Sequence, residues 1–396
     1  MMLLTAGTRG DIEPFVALAR AAAARGHSVR LGVPDDADRP AGVDVVGLDL
    51  DFRRVMSPGG GAPWTLARHL GREVRPALRR MFAAAVRQTV AFAPDVVVHH
   101  PLILSAPMAA DALGVPRVLV ELSPVATPSG VFPAAGGPTA TVDLGRWNRS
   151  TYAVPRAAAR LLDADVVRAA AQLPGGRRSA SRTASRATLM AVSPQLLPRP
   201  HDWPPRVHLT GSWHDDALAA PLDAEVADFV HDGGHLVASF GSMAVGGAQA
   251  RARAVVGAAR AHGLRALLLT GWGGLELPVA LRGADVLAVR AASFGAVMPG
   301  AALAVHHGGA GTSHAVARAG VPAVVVPVTA DQPFWGAQLH RQGIAARPVP
   351  VRRLTSAALT SAVADALACR ERAAEVGRAM RGEDGLGTAL DVLGSL

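Results

Sequence analysis

Four short stretches hold the side chains best suited to chemistry. GTRGD (7–11) ends on a carboxylate, Asp11, where an apolar run gives way to a helical pattern. SFGSM (239–243) sets Ser242 beside a glycine after a second apolar run. HHGGAGT (306–312) joins two imidazoles to a turn nearly devoid of side chains, and DQPFWG (331–336) pairs the Asp331 carboxylate with the Gln332 amide. A strand, a glycine-rich turn and a helix make an anion site, because free backbone N–H groups and the positive helix end face one point. Gly308, Gly309 and Gly311 let that backbone come close to a phosphate, with Ala310 and Thr312 opening the helix that runs to Gly320. Asp331 and Gln332 follow the next apolar run, so they share the rim on which parallel sheets bind ligands. Carboxylate and amide accept and donate in one plane, which suits vicinal hydroxyls. A diphosphate grip beside a hydroxyl grip describes a nucleotide sugar.

Other readings of the same residues stay open at this point. Asp11 sits where an aspartate commonly caps a helix, and it could equally serve as a general base; the two roles are compatible. His306 and His307 could pack or could donate to a phosphate, while adjacent residues at a strand end point apart and no cysteine or carboxylate cluster joins them, so no metal site is expected. His99 and His100 close a first-half strand on the cleft side, where a satisfied loop histidine competes with an acceptor contact. G-x-G-x-x-G is missing after the first strand, and no acidic residue closes the second, which argues against a dinucleotide-dependent dehydrogenase.

The elements that must carry these residues alternate. Strands are predicted at 2–5, 28–33, 43–48, 95–99, 117–121 and 188–192, then at 236–240, 265–270, 285–289, 303–305 and 322–326. A helix is predicted over 12–25 with Pro14 in its first turn, another over 64–93 broken or kinked at Pro76, and helical structure over 355–394. Residues 56–63 and 179–185 read as loops, 122–186 as an irregular insertion, and the proline-rich 198–213 as an interdomain linker. This is an α/β chain of two doubly wound domains. The expected division is 1–205, 206–376 and a terminal segment, 377–396.

Composition agrees and excludes alternatives. The 396 residues suit two domains, and half are hydrophobic, with few aromatics. All 40 basic residues are arginine, giving a net charge of +9, but they are scattered, so nucleic acid is not the expected partner. The single cysteine, Cys369, allows no internal disulfide and reads as a buried small residue. The amino terminus lacks a signal-peptide pattern, and no apolar stretch is long enough to span a bilayer. A cytoplasmic protein without stable membrane insertion, monomeric or homodimeric, is expected.

HHGGAGT followed by DQPFWGAQL (331–339) resembles the donor-binding segment of family 1 glycosyltransferases of GT-B fold, nearest to bacterial natural-product (vancomycin-type or macrolide) and sterol enzymes. GTRGDIEPFVALA (7–19) resembles the GxRGDxxPFxALA opening of the same group. The resemblance implies two Rossmann-like domains facing a cleft, with the last helix crossing back to the first domain. It implies an inverting transfer with Asp11 as base, no cofactor and no metal. Donor contacts would come from Gly7, Thr8, Ser242, His306, Gly308, Gly309, Ala310, Gly311, Thr312, Asp331 and Gln332. Upstream, AASFGAVMPGA (291–301) replaces the family's Val-Pro-His-Asp-Trp-Leu-like segment, which leaves uridine and thymidine open and makes Phe294 the candidate stacking residue. His100 and Phe132 are the acceptor candidates, Phe132 within TPSGVFP, a stretch that resembles the family's acceptor loop. Low polarity over 102–115 and 122–142 suits a hydrophobic acceptor such as a polyketide, macrolide, terpenoid or sterol. A non-catalytic homologue and a peripheral-membrane lipid glycosyltransferase are the alternatives.

Overall fold

A computed structural model describes the chain except for residues 57–68, 138, 172, 174–183, 216–220, 242–245 and 272. Ser242, most of the loop expected at 56–63, the start of the helix expected from 64 and most of the turn at 179–185 therefore lie outside the described residues.

Two parallel sheets organise what is described. The first joins β1 (Met2–Leu4), β2 (Arg30–Val33), β3 (Asp44–Gly47), β4 (Val97–His99), β5 (Arg117–Glu121), β6 (Ala187–Met190) and β7 (Val207–Leu209), in the order β3-β2-β1-β4-β5-β6-β7. The second joins β8 (His235–Ser239), β9 (Arg265–Leu269), β10 (Val286–Val289), β11 (Ala301–His306) and β12 (Ala323–Val325), in the order β10-β9-β8-β11-β12. Strands β1, β4, β8 and β12 are buried along their whole length, as short apolar runs covered on both faces must be. Helices of eight residues or more are α1 (Arg9–Ala24), α2 (Arg75–Phe92), α3 (Ala106–Leu113), α4 (Ala153–Arg160), α5 (Asp163–Ala170), α6 (Ala224–His231), α7 (Ala248–Ala261), α8 (Ala310–Ala319), α9 (Gln332–Arg341), α10 (Ser356–Leu367), α11 (Arg370–Arg381) and α12 (Gly385–Gly394).

Strand order fixes where ligands can sit. In the first sheet the winding reverses between β1 and β4, where Leu4 pairs with His99; in the second it reverses between β8 and β11, where Ser239 pairs with His306. Crevices at the carboxyl ends of such switch points bind ligands in open α/β sheets. The two crevices hold GTRGD with His100 in one lobe, and the SFG turn with HHGG in the other.

Several expectations need correction. The stretch 198–213 is not simply a linker: Val207–Leu209 forms β7, pairs in parallel with β6 and extends the first sheet past residue 205. Helix α1 begins at Arg9, so Pro14 lies in its second turn, where it cannot donate to the Gly10 carbonyl. Pro76 occupies the first turn of α2, where the helical stretch passes from a π-helical turn over Leu70–Val74 to an α-helix, so the break expected there is an altered winding. Cys369 is half-buried at the turn between α10 and α11.

The lobes meet along a continuous apolar seam. Phe132, Tyr152 and Trp203 of the first lobe share one core with Val297, Phe334 and Trp335 of the second. The chain returns to the first lobe at its end: Ala389, Leu390 and Leu393 of α12 join Phe15, Leu18 and Trp213 in a core beside α1, and Arg25 pairs with Asp391 at 2.6 Å. The outgoing and returning crossings touch. Gly385 lies so close to Gly211 that a Cβ there would stand 2.5 Å from the Ser212 carbonyl oxygen.

Candidate functional site

The first-lobe wall of the cleft is built by the turn after β1. Gly7 takes φ 141°, a conformation other residues rarely adopt, and any side chain on it would strike the Asp11 carboxylate. Thr8 is the N-cap of α1, so Asp11 is the third helical residue and not the cap itself. Its Oδ2 accepts from the Thr8 backbone N–H (2.7 Å) and hydroxyl (3.0 Å), while Thr5 Oγ1 donates to its carbonyl at 2.9 Å. The carboxylate is thus held without being neutralised, and Oδ1 faces the cleft, 3.8 Å from His100 Nε2. The side chain keeps 32 % of its surface. Desolvation nevertheless pushes its pKa above the usual carboxylate value, and the two Thr8 hydrogen bonds pull against that rise.

The second-lobe wall is the amino end of α8. Gly309 is the N-cap, no side chain caps the helix, and no acidic residue stands in its first turn. Its N–H groups and dipole are left for an external anion. The helix end points across the cleft at α1: a Cβ on Gly311 would lie 3.6 Å from Gly10 Cα. Ala310 and Thr312 flank Gly311 on the first turn.

The two histidines stand at different depths. His306 is only 1 % exposed, beneath the turn; its Nδ1 accepts from Gly308 N–H at 3.1 Å, and its Nε2 has no protein partner. Burial lowers its pKa to about 3, so the ring is neutral and its proton resides on that unpartnered nitrogen. His307 is less buried and reaches the rim, its ring wedged between the two glycine turns, with Nε2 2.7 Å from where a Cβ on Gly309 would be and Cε1 2.8 Å from one on Gly241. The resemblance implies a donor contact for His306 alone; the geometry sets His307 beside the same turn as well.

Asp331 is the N-cap of α9, carried by Ala330 in a left-handed conformation (φ 57°). Its Oδ2 accepts from Ser123 Oγ at 2.6 Å across the cleft and from Trp335 Nε1 at 3.1 Å. Burial, with the Asp11 charge adding to it, raises its pKa to about 6. Ser123 was not anticipated. It is presented by a loop that Glu121 folds back, the buried carboxylate accepting from the N–H groups of Val125, Ala126 and Thr127. Gln332 departs from expectation: it is 5 % exposed, and its amide oxygen accepts from the N–H groups of Val328 and Thr329, so that oxygen holds the loop rather than a ligand. Phe132 also departs. It is 3 % exposed, edge-on to Trp203 and Phe334, and ties the loop to the seam instead of facing an acceptor. Phe294 begins a short helix and is half-buried against the same core. Among the described residues no three His, Cys, Asp or Glu side chains converge on a metal-sized space, and no helix is long and apolar enough to cross a membrane.

Known proteins resemble this chain in sequence and in fold. Residues 1–125 match the glycosyltransferase family 28 N-terminal domain, and 276–384 match the C-terminal domain of erythromycin biosynthesis protein CIII-like proteins. The O-mycaminosyltylonolide 6-deoxyallosyltransferase of Streptomyces fradiae is 35 % identical over 98 % of this chain and 95 % of its own. The vancomycin aglycone glucosyltransferase of Amycolatopsis orientalis is 32 % identical over 92 % and 90 %. The glycosyltransferase SsfS6 of Streptomyces sp. SF2575, solved with thymidine diphosphate, superposes with a TM-score of 0.64 at 19 % identity, covering 99 % of each chain. Two facing switch points, and sequence likeness along nearly the whole length, lead to one conclusion: this chain belongs to the family 1 glycosyltransferases of GT-B fold, within their natural-product branch.

Proposed function

We propose that the enzyme moves a sugar from a dTDP- or UDP-sugar to a hydroxyl of a hydrophobic natural product such as a polyketide, macrolide, terpenoid or sterol-like molecule, with inversion and without a metal. One observation carries this reading: two helix amino ends meet at Gly10 and Gly311, one bearing the Asp11 carboxylate and the other bare. The bare end suits the donor diphosphate, helped by the neutral imidazoles of His306 and His307 and by Ser242. Asp331 exchanges its Ser123 hydrogen bond for hydroxyls of the sugar. Asp11 takes the acceptor proton as that oxygen attacks the anomeric carbon. A base that frees the acceptor oxygen for direct attack, with no enzyme nucleophile forming an intermediate, suits displacement from the face opposite the leaving group and so inversion. The helix end and imidazole N–H donors supply the stabilisation a cation would otherwise give. Thymidine is favoured as the base by the nucleotide held in SsfS6. A natural-product acceptor is favoured by the names of the Streptomyces fradiae and Amycolatopsis orientalis relatives.

The pH dependence follows from the carboxylates. Asp11 works only when ionised and its pKa is raised, so turnover falls as pH drops through that raised value. Melting curves against dTDP- and UDP-sugars test the donor site, since only ligands bound by the native state raise the transition. Product anomeric configuration by NMR and turnover in chelator test the chemistry. Retained configuration, or activity lost in chelator and restored by magnesium, would overturn the inverting, metal-free mechanism.

A further inference from the structure

His100 is fixed more firmly than an acceptor contact on a loop would require. Its backbone N–H donates to Leu4 O at 2.9 Å, its carbonyl accepts from Ile103 N–H at 3.0 Å, and its ring stands edge-on to Phe15 with centroids 6.3 Å apart. The tautomer is also set. Nδ1 accepts from Leu102 N–H at 3.3 Å, so the neutral ring carries its proton on Nε2. Burial lowers the imidazole pKa to about 4, which keeps it neutral at working pH. That Nε2–H points at Asp11 Oδ1, the oxygen Thr8 leaves free, across 3.8 Å. The gap is too wide for a hydrogen bond, yet one oxygen atom at ordinary hydrogen-bond length, about 2.8 Å, from each would bridge it.

We propose that His100 Nε2–H and Asp11 Oδ1 together hold the acceptor hydroxyl, the imidazole donating to its oxygen and the carboxylate receiving its proton. This rests on the transferase reading above and deepens it, because it separates the roles of the two groups. His100 is a donor only: protonating its second nitrogen would break the Leu102 bond. Asp11 is therefore the base. In the step, the acceptor O–H bond breaks with its proton going to Oδ1. The oxygen bonds the anomeric carbon, and the carbon–oxygen bond to the diphosphate breaks with its electron pair leaving on the diphosphate. The Nε2–H bond turns the acceptor's lone pair toward the carbon throughout.

The test uses the full-length enzyme with dTDP-glucose and UDP-glucose, water serving as the acceptor probe and released glucose as the readout. His100→Leu should lower the hydrolysis rate by about 10–100-fold, as loss of a hydrogen bond to a developing charge does, with the donor-induced melting shift unchanged. His100→Gln, whose amide can donate from a similar position, should retain most of the rate. If the leucine variant does not fold, His100→Asn, too short to reach, takes its place. A leucine variant within about twofold of wild type, or glutamine and leucine variants equally slow, would overturn the proposal. A wild-type enzyme whose melting temperature neither dTDP nor UDP raises would sink the donor reading on which this rests.

Discussion

The two lobes use one local device for opposite ends. GTRGD and GGAGT (308–312) align position for position: Gly7 and Gly308 turn with positive φ, Thr8 and Gly309 are N-caps, Gly10 and Gly311 meet across the cleft, and Asp11 and Thr312 occupy the third helical position. In the first lobe the helix end carries its own carboxylate. In the second that place is a threonine and the cap is a glycine, so the same donors and dipole await an anion from outside. One helix end is thus filled from within and the other is left bare, and the residues at the cap and at the third helical position make the difference.

That contrast can be broken from either side. The largest effect is expected for Asp11→Asn, which leaves the first lobe without its internal charge. Transfer should fall by about 10²–10⁴-fold, the usual worth of a positioned base, while the donor-induced melting shift persists; an unimpaired variant would end the comparison. Next comes Thr312→Asp, which copies the first lobe into the second. At an effective dielectric constant near 20, a carboxylate about 5 Å from the diphosphate costs roughly 3 kcal/mol per charge pair, so donor affinity should drop by about 100-fold or more. The unliganded fold should be unchanged or slightly firmer, and calorimetric titration with dTDP reads the loss. The smallest effect sharpens the comparison. A carboxyl whose pKa is raised from 3.8 to about 6 on folding contributes stability that is fully present below about pH 4 and lost as pH rises through 6. Asp331→Asn should therefore raise the melting temperature of the unliganded enzyme above pH 6 by a few degrees, corresponding to roughly 1–3 kcal/mol, and weaken donor binding. A lower melting temperature there would show that the Asp331 charge does not strain the cleft.

The second-lobe site was largely legible because its signal is local. A short apolar run, four nearly consecutive small residues and a glycine C-cap at 320 specify strand, turn and helix within twenty residues, and β11, α8 and β12 follow that pattern. Strand β7 was hidden because it is three residues long, preceded by two prolines and followed by Thr-Gly, so local composition read as linker. The Ser123–Asp331 bond spans 208 positions and depends on how two lobes close, which no spacing rule encodes. Gln332 and Phe132 show the reverse. Their residue types suit ligand contacts, but the need to satisfy buried N–H groups and to fill the seam claims both side chains. His306 and His307 differ by one position and face different surroundings, a distinction that only three-dimensional packing around Gly241 and Gly309 makes.

The close approach of Gly211 and Gly385 has a plain steric consequence. A methyl group at either position has no vacant space to enter, so even Gly385→Ala must push the outgoing and returning passages of the chain apart. The way the second lobe is tied back to the first thus leans on two residues that carry no side chain at all.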